Sequence, residues 1–182
     1  AGVLNDGMLM HQTAESFRKV AAPKVKGAWY LHSSTKDKSL DFFVLFSSVA
    51  SILGSPGQSN YAASNAFMDG LAHFRKRQGL VATAINWGPW ADVGMAASDV
   101  VVQRLKKDGW QPMNASQGCD FIGHLLTRCD LAQAAILPVD WAQFVANIPG
   151  AEQWSTLKQC VPKGLPIPLV GNSAELAAQS VK

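Results

Sequence analysis

Residues 40–49, LDFFVLFSSV, form a continuous apolar run rich in aromatic and β-branched side chains that stops at two serines. Such a run is expected to be a strand buried on both faces, the environment of a parallel sheet. A parallel neighbour can be reached only through a long crossover, usually a helix. The following residues supply one. Ser55 as N-cap, Pro56 at the first helical position and Gln58 three residues after the cap read as a capping box. Gly79 is a natural residue just past the helix end. Ala63, Ala66, Phe67, Gly70, Leu71 and Phe74 fall on one helical face, and small residues there would let the helix approach the sheet closely. LVATAINWG, residues 80–88, then reads as a second buried strand. Strand, helix and strand in this order make a right-handed crossover unit, and the expected fold class is α/β, a doubly wound parallel sheet with flanking helices.

The flanking segments extend this pattern. The opening AGVL reads as the end of another buried strand. Residues 13–35 carry Phe17, Val20, Ala21, Val25, Ala28, Trp29 and Leu31 at helical spacing, with Thr13, Glu15 and Ser16 as a start signal. Pro23 is expected to kink or divide that helix. Residues 100–107 and 115–128 read as helices, and AAILPVDW (134–141) as a last short strand. Beyond Phe144 the periodicity fades, and residues 162–182, rich in Pro, Gly and Ser, read as a linker.

Composition excludes several classes of function. Hydrophobic residues make up 48% of the 182 residues and charged ones 16%, as in a compact globular chain. The formal charge is only +3, without the basic stripe of a nucleic-acid binder. RKRQ (75–78) is the densest basic run and reads as a solvated helix end, where cations offset the helix dipole. Cys119, Cys129 and Cys160 form no framework, which points to free thiols in a reducing, cytoplasmic setting. The histidines, His11, His32, His73 and His124, are too far apart in sequence for a zinc site, so no metal is expected. No apolar run is long enough to span a bilayer. The start, AGVLNDG, has no methionine and no basic leader, and reads as a cut into a longer chain.

In an open parallel sheet, ligands bind beyond the carboxyl ends of the strands. Ser47 and Ser48 lie at such an end, and Tyr61 and Asn65 lie one turn apart on the next helix. Singly, each has an ordinary reading: a turn serine, a core tyrosine, a solvated asparagine. Together, a hydroxyl and a phenol can converge on one carbonyl oxygen. The serine would hydrogen-bond it, and the tyrosine would protonate it as it becomes an alkoxide. A phenol ordinarily titrates near pH 10, and a cation at about 4 Å would lower that by about 3 units at an effective dielectric of about 20. APKVKG offers Lys24 and Lys26 for this role.

PKVKGAWYLH, FFVLFSSVASILGSPGQSNYAASNAFMDGLA and INWGPWADVGMA resemble the ketoreductase domain of modular type I polyketide synthases, a relative of the short-chain dehydrogenases/reductases. The resemblance covers about residues 1–145. Ordinary short-chain dehydrogenases carry Tyr-x-x-x-Lys, whereas here Asn65 stands in the lysine's place and a lysine stands earlier, as in the synthase ketoreductases. The resemblance implies a Rossmann-like fold and NADPH-dependent reduction of a β-ketoacyl thioester, carried by the phosphopantetheine of an acyl carrier protein, to the β-hydroxyacyl thioester. It implies Tyr61 as proton donor, Ser48 as carbonyl-orienting hydroxyl, Lys24 rather than Lys26 as the family lysine, and Asn65 as part of a proton relay that holds a water or the lysine. Gly2, Gly88, Pro89 and Trp90 would border the cofactor, while Asp6, Leu53 and Met95 would face substrate, Met95 on a lid. Asp6 retained and Leu53 in place of a tryptophan lean toward a D-hydroxyl product. The family's G-x-G-x-x-G loop is not in the chain. The expected organisation is therefore the C-terminal part of a ketoreductase domain at 1–145, with its N-terminal strands and glycine-rich loop missing, and a linker toward a carrier-protein domain at 146–182. Neighbouring synthase domains would be its other partners, with no nucleic acid and no membrane. Alone, the fragment is expected to bind NADPH poorly and to be inactive. The alternatives are a non-catalytic structural or docking segment of a megasynthase and a free-standing short-chain dehydrogenase.

Overall fold

A computed structural model describes residues 2–92, 99–128, 130–148, 154–157 and 160. The chain divides into two compact units. The first comprises 1–88 and 113–137, and the second 89–112 and 138–182.

In the first unit, helix α1 (Ala14–Ala21) starts at the Thr13 cap. Thr13 Oγ1 accepts from Ser16 N, and Ser16 Oγ accepts from Thr13 N, a reciprocal box that satisfies two end donors. Pro23 lacks an N–H, and the helix is interrupted by a π-helical turn, Ala22–Lys26, before α2 (Gly27–Thr35). That interruption carries Lys24. Strand β1 (Val44–Ser48) leads into the short α3 (Ala50–Leu53), then α4 (Ser59–Arg77) and β2 (Thr83–Trp87). Helix α6 (Ala115–Leu126) precedes β3 (Gln133–Ile136). The strands pair in parallel in the order β1–β2–β3, with Phe46 opposite Ile85 and Ile85 opposite Ala134. The result is the expected Rossmann-like parallel sheet flanked by helices. Its core joins Leu45 and Ala84 of the sheet to Ala28 of α2 and to Met68, Leu71 and Ala72 of α4, with Ala82, Phe43 and Phe67 against them. Burying a side chain such as Leu71 stabilises the fold by roughly 2 kcal/mol.

Four local expectations need correction. First, residues 2–4, the described part of AGVL, form no strand. Residues 5–7 instead bond to the turn before α4 and to its first turn: Gly7 N donates to Gly57 O at 2.8 Å and Asn60 Nδ2 to Asn5 O at 2.7 Å. Second, β1 is not buried on both faces. It is an edge strand among the described residues, and Phe46 is 51% exposed. Third, α4 begins at Ser59, not after Ser55. Gly57 has φ +75°, a left-handed conformation that cannot continue a right-handed helix, so Ser55–Gln58 forms a turn in which Ser55 Oγ donates to Gln58 Oε1. Fourth, α4 is rotated relative to the expected stripe. Ala63, Ala66 and Gly70 are exposed and Phe74 is 41% exposed, whereas Asn60, Ser64, Asn65, Met68, Asp69, Leu71, Ala72 and Arg75 are buried. Each polar residue of that face makes at least one hydrogen bond, with Asn65 Oδ1 left without one among the described residues, so burial does not follow hydrophobicity here.

Arg75, expected in solvent, is only 1% exposed. Its guanidinium lies 3.8 Å from the Phe43 ring centroid, and its Nε donates to Val81 O. Its Nη1 lies 3.1 Å from Nδ1 of the buried His32. Because arginine only donates, His32 must be the neutral Nε2–H tautomer, with Nδ1 accepting. Burial pushes the His32 pKa down, and the charges of Arg75 and Lys36 add to that. A histidine whose folded pKa is depressed stabilises the fold above its ordinary range, and that stability is lost as pH falls through about 6.5 and below. Denaturant midpoints of the full-length protein should therefore fall between about pH 7 and 5. His32→Asn, which keeps an acceptor, should flatten that part of the profile; an unchanged slope would remove His32 from this role.

In the second unit, α5 (Asp99–Lys107) and α7 (Trp141–Asn147) are joined by hydrogen bonds from Gln143 Nε2 and Asn147 Nδ2 to Lys107 O. Asp140 caps α7 through Gln143 N. Phe144, 1% exposed, is ringed edge-on by Trp110, Trp141 and Trp154. Gly109 has φ +87°, and a Cβ there would come within 2.6 Å of Phe144 N, so only glycine fits. No helix among the described residues is long and apolar enough to cross a membrane. Among the same residues no cluster of His, Cys, Asp or Glu could hold a metal. Cys119 and Cys160 are free and exposed, and Cys129 lies outside the described residues.

Candidate active site

The carboxyl end of β1 is assembled from four elements. The π-helical turn projects Lys24 across the strand, and its Nζ donates to Phe46 O at 3.0 Å. The same Nζ lies 5.4 Å from the centre of the Tyr61 ring. An ammonium so placed lowers the energy of a developing phenolate and uses only one of its three donors on the protein. Burial pushes the Lys24 pKa down, and the charge of Asp69 opposes that. Lys26, two residues on, is exposed.

Tyr61 is half-buried in the first turn of α4, and its hydroxyl makes no hydrogen bond among the described residues. One turn later Asn65 is fully buried. Its Nδ2 donates to Tyr61 O at 2.8 Å, and its backbone O accepts from Ser47 Oγ at 3.3 Å. Asn65 Oδ1 is buried without a hydrogen-bond partner. A lone buried acceptor carries a desolvation cost of about 1–3 kcal/mol unless a water or ligand meets it. Ser48 is half-buried at the last position of β1. Its Oγ accepts from Ala50 N at 3.2 Å, which leaves its own proton for another acceptor.

The other expected site residues are more scattered. Asp6 Oδ2 accepts from Gln58 Nε2 at 2.9 Å, which ties the N-terminal segment to the turn before α4. Leu53 ends α3 and is half-buried, and Gly2 is exposed. Gly88 is buried just past β2. Its N donates to Ile136 O, and a Cβ there would come within 3.1 Å of that oxygen. Pro89 and Trp90 are half-buried in the second unit, and Met95 lies outside the described residues.

Sequence reasoning missed the polar layer beneath β1. Asp69, 7% exposed, accepts from Asn86 Nδ2 at 2.9 and 3.0 Å and from Ser51 Oγ at 2.6 Å. Ser51 Oγ also lies 2.7 Å from Ser48 O, and Asn86 Nδ2 lies 3.1 Å from Ser47 Oγ. Gln133 Nε2 closes the layer on Asn86 Oδ1 at 3.0 Å. One signal could have found it: Tyr61, Asn65 and Asp69 recur every fourth residue and so share one helical face.

The Lys24 donors not used by the protein, together with the free Tyr61 and Ser48 hydroxyl protons, fit the ribose and carboxamide end of a nicotinamide nucleotide and a carbonyl beside it. They do not fit a diphosphate, which needs a cradle of backbone N–H groups.

Comparison with known proteins agrees with this architecture. Residues 1–92 match the family model of the KR domain. Polyketide synthase GfsB of Streptomyces halstedii is 48% identical over 163 residues, 90% of this chain but 3% of that protein. GfsA of the same organism is 40% identical over 175 residues, 96% of this chain and 2% of that protein. The chain thus spans only a few per cent of these relatives. Among solved structures, A-type ketoreductases from a modular polyketide synthase superpose with a TM-score of 0.76 at 35% identity, over 91% of this chain and 33% of that one. The first ketoreductase of the tylosin synthase superposes with a TM-score of 0.72 at 40% identity, over 80% and 32%. On its parallel sheet, its matched residues and these relatives, the chain belongs to the KR domains of polyketide synthases, within the short-chain dehydrogenase/reductase superfamily.

Proposed function

We propose that these residues carry the proton-donating half of a ketoreductase that reduces a β-ketoacyl thioester, held on the phosphopantetheine of an acyl carrier protein, to the β-hydroxyacyl thioester. The observation that carries the proposal is the Lys24 ammonium over the ring of Tyr61, whose hydroxyl is unengaged, at the carboxyl end of β1. Ser48 donates a hydrogen bond to the ketone oxygen and orients the carbonyl. Tyr61 passes its proton to that oxygen as negative charge develops there. Lys24 stabilises the phenolate left behind. Asn65 Oδ1, which needs a partner, holds a water that returns a proton to the tyrosine. NADPH, when bound, supplies the hydride to the carbonyl carbon. Lys24 and Gly88 would hold its nicotinamide end, with Gly2 beside it; Pro89 and Trp90 are assigned to the cofactor by family resemblance alone, and its diphosphate would need contacts these residues do not offer. Asp6 and Leu53 would border the acyl chain, and Met95 is assigned there by family resemblance alone. The acyl carrier protein and neighbouring synthase domains are the proposed partners.

The test is direct: the full-length protein with NADPH and a β-ketoacyl N-acetylcysteamine thioester should oxidise NADPH in step with β-hydroxyacyl formation. Binding without turnover would favour a structural segment. Chiral chromatography of the product should show the D-hydroxyl, consistent with Leu53 and with Asp6 held by Gln58. The lysine assignment has its own check. Lys24→Ala should lower kcat by about 100-fold, whereas the exposed Lys26→Ala should stay within about twofold. Equal losses would contradict the assignment.

A further inference from the structure

Asp69 is a buried carboxylate that the chemistry above leaves unused. Nothing about packing requires a charge in the middle of α4, and burying one is costly unless it is hydrogen-bonded. Among the described residues it forms no ion pair within 4 Å. Its ligands are instead Asn86 Nδ2 and Ser51 Oγ, and both also touch the last two residues of β1. Asn86 Nδ2, with two protons, can bond the carboxylate and the end of β1 at once, while the single Ser51 hydroxyl proton is shared between the carboxylate and Ser48 O; one carboxylate is thus tied to the backbone that presents Ser48. The layer is anchored on three strands and α4: Ser47 and Ser48 on β1, Asn86 on β2 and Gln133 on β3. The same carboxylate is the negative charge that acts on Lys24.

The electrostatic surroundings are simple enough to make this testable. β1, α3, β2 and β3, which pack against α4, carry no ionisable side chain. On α1, Glu15, Arg18 and Lys19 are exposed, as is Lys26 on the π-helical turn. On α2, His32 is engaged with Arg75. On α4 itself, His73, Lys76 and Arg77 lie toward the far end of the helix. Lys24 is left as the titratable group on which the Asp69 charge acts, with the Tyr61 ring beside it.

We propose that Asp69 is a positioning residue for the reduction, which fixes the end of β1 that presents Ser48 through Ser51 and Asn86 and supplies a counter-charge to the Lys24 ammonium. This rests on the ketoreductase reading. It separates into two roles. Asp69→Asn in the full-length protein keeps the side-chain shape but removes the charge. With one negative charge gone, the Lys24 ammonium loses its proton more readily. The alkaline limb of the kcat profile should move down by roughly half a pH unit or more, and kcat should fall about 10-fold or more with KM little changed. Ser51→Ala keeps the charge and cuts one tie to Ser48. It should lower kcat without moving the limb, and it provides the test if Asp69→Asn does not fold.

The two readings fail differently. If the wild-type protein does not reduce a β-ketoacyl thioester, the ketoreductase reading fails. If the wild type turns over and Asp69→Asn has wild-type kcat and an unmoved limb, or Ser51→Ala has wild-type kcat, the positioning role is overturned. A loss of folded protein with an unchanged pH profile in the remainder would make Asp69 structural only, which also contradicts the proposal.

Discussion

In the full-length protein, Tyr61→Phe is expected to lower reduction of a β-ketoacyl thioester by about 10²- to 10⁴-fold, the range of general acid catalysis. NADPH affinity, read by fluorescence titration, should stay within about twofold, because the variant keeps the ring that packs near Lys24 and removes only a hydroxyl without a hydrogen bond. Among the described residues that hydroxyl has no partner, so Tyr61→Phe leaves none of their buried groups unsatisfied. A stability loss is therefore not expected, and activity and folding can be read separately. A variant with wild-type kcat would remove Tyr61 from the chemistry, whatever its place in the family pattern.

The second large effect is structural. Arg75→Ala removes a guanidinium that stacks on Phe43, donates to Val81 O and donates to His32. Three losses coincide: packing under β1, a carbonyl deprived of its donor, and a histidine nitrogen left buried without a partner. Side-chain deletion of this size in a core costs about 3–5 kcal/mol, and each orphaned polar group adds about 1–3 kcal/mol before water enters. Denaturant unfolding should show a midpoint lowered by an amount corresponding to about 3 kcal/mol or more. Arg75→Lys should recover little of that loss, because an ammonium cannot lie flat on Phe43 while it donates in two fixed directions. A midpoint unchanged in Arg75→Ala would show that the helix end is solvated, as the basic run RKRQ first implies.

The strands and the order of the helices were legible because their information is local. LDFFVLFSSV and LVATAINWG have the apolar continuity of parallel strands, and Pro23 marks where α1 gives way to the π-helical turn. Asp140 would have revealed α7, but capping by a single aspartate is a weak signal beside fading periodicity. The face of α4 was not legible, because its buried side carries Asn60, Ser64, Asn65, Asp69 and Arg75, which hydropathy assigns to solvent. Their burial depends on partners such as Asn86 and His32, far away in sequence. AGVL was misread for a related reason. An apolar tetrapeptide says nothing about which neighbour will hydrogen-bond it, and here Asn5 and Gly7 bond to the turn before α4 rather than to a strand. The candidate site was legible in Tyr61 and Asn65, whose spacing is helical. Choosing Lys24 over Lys26 required either family resemblance or the observed bond to Phe46 O.

The account depends on three groups that are distant along the chain acting on one oxygen atom. A crystal structure of the full-length protein with NADP⁺ and a β-hydroxyacyl thioester measures this directly. Tyr61 Oη and Ser48 Oγ should both lie within hydrogen-bonding distance of the substrate hydroxyl, about 2.5–3.0 Å, with Lys24 Nζ between the tyrosine and the ribose. A hydroxyl bound away from Tyr61, or Lys24 turned from the cofactor, would contradict it.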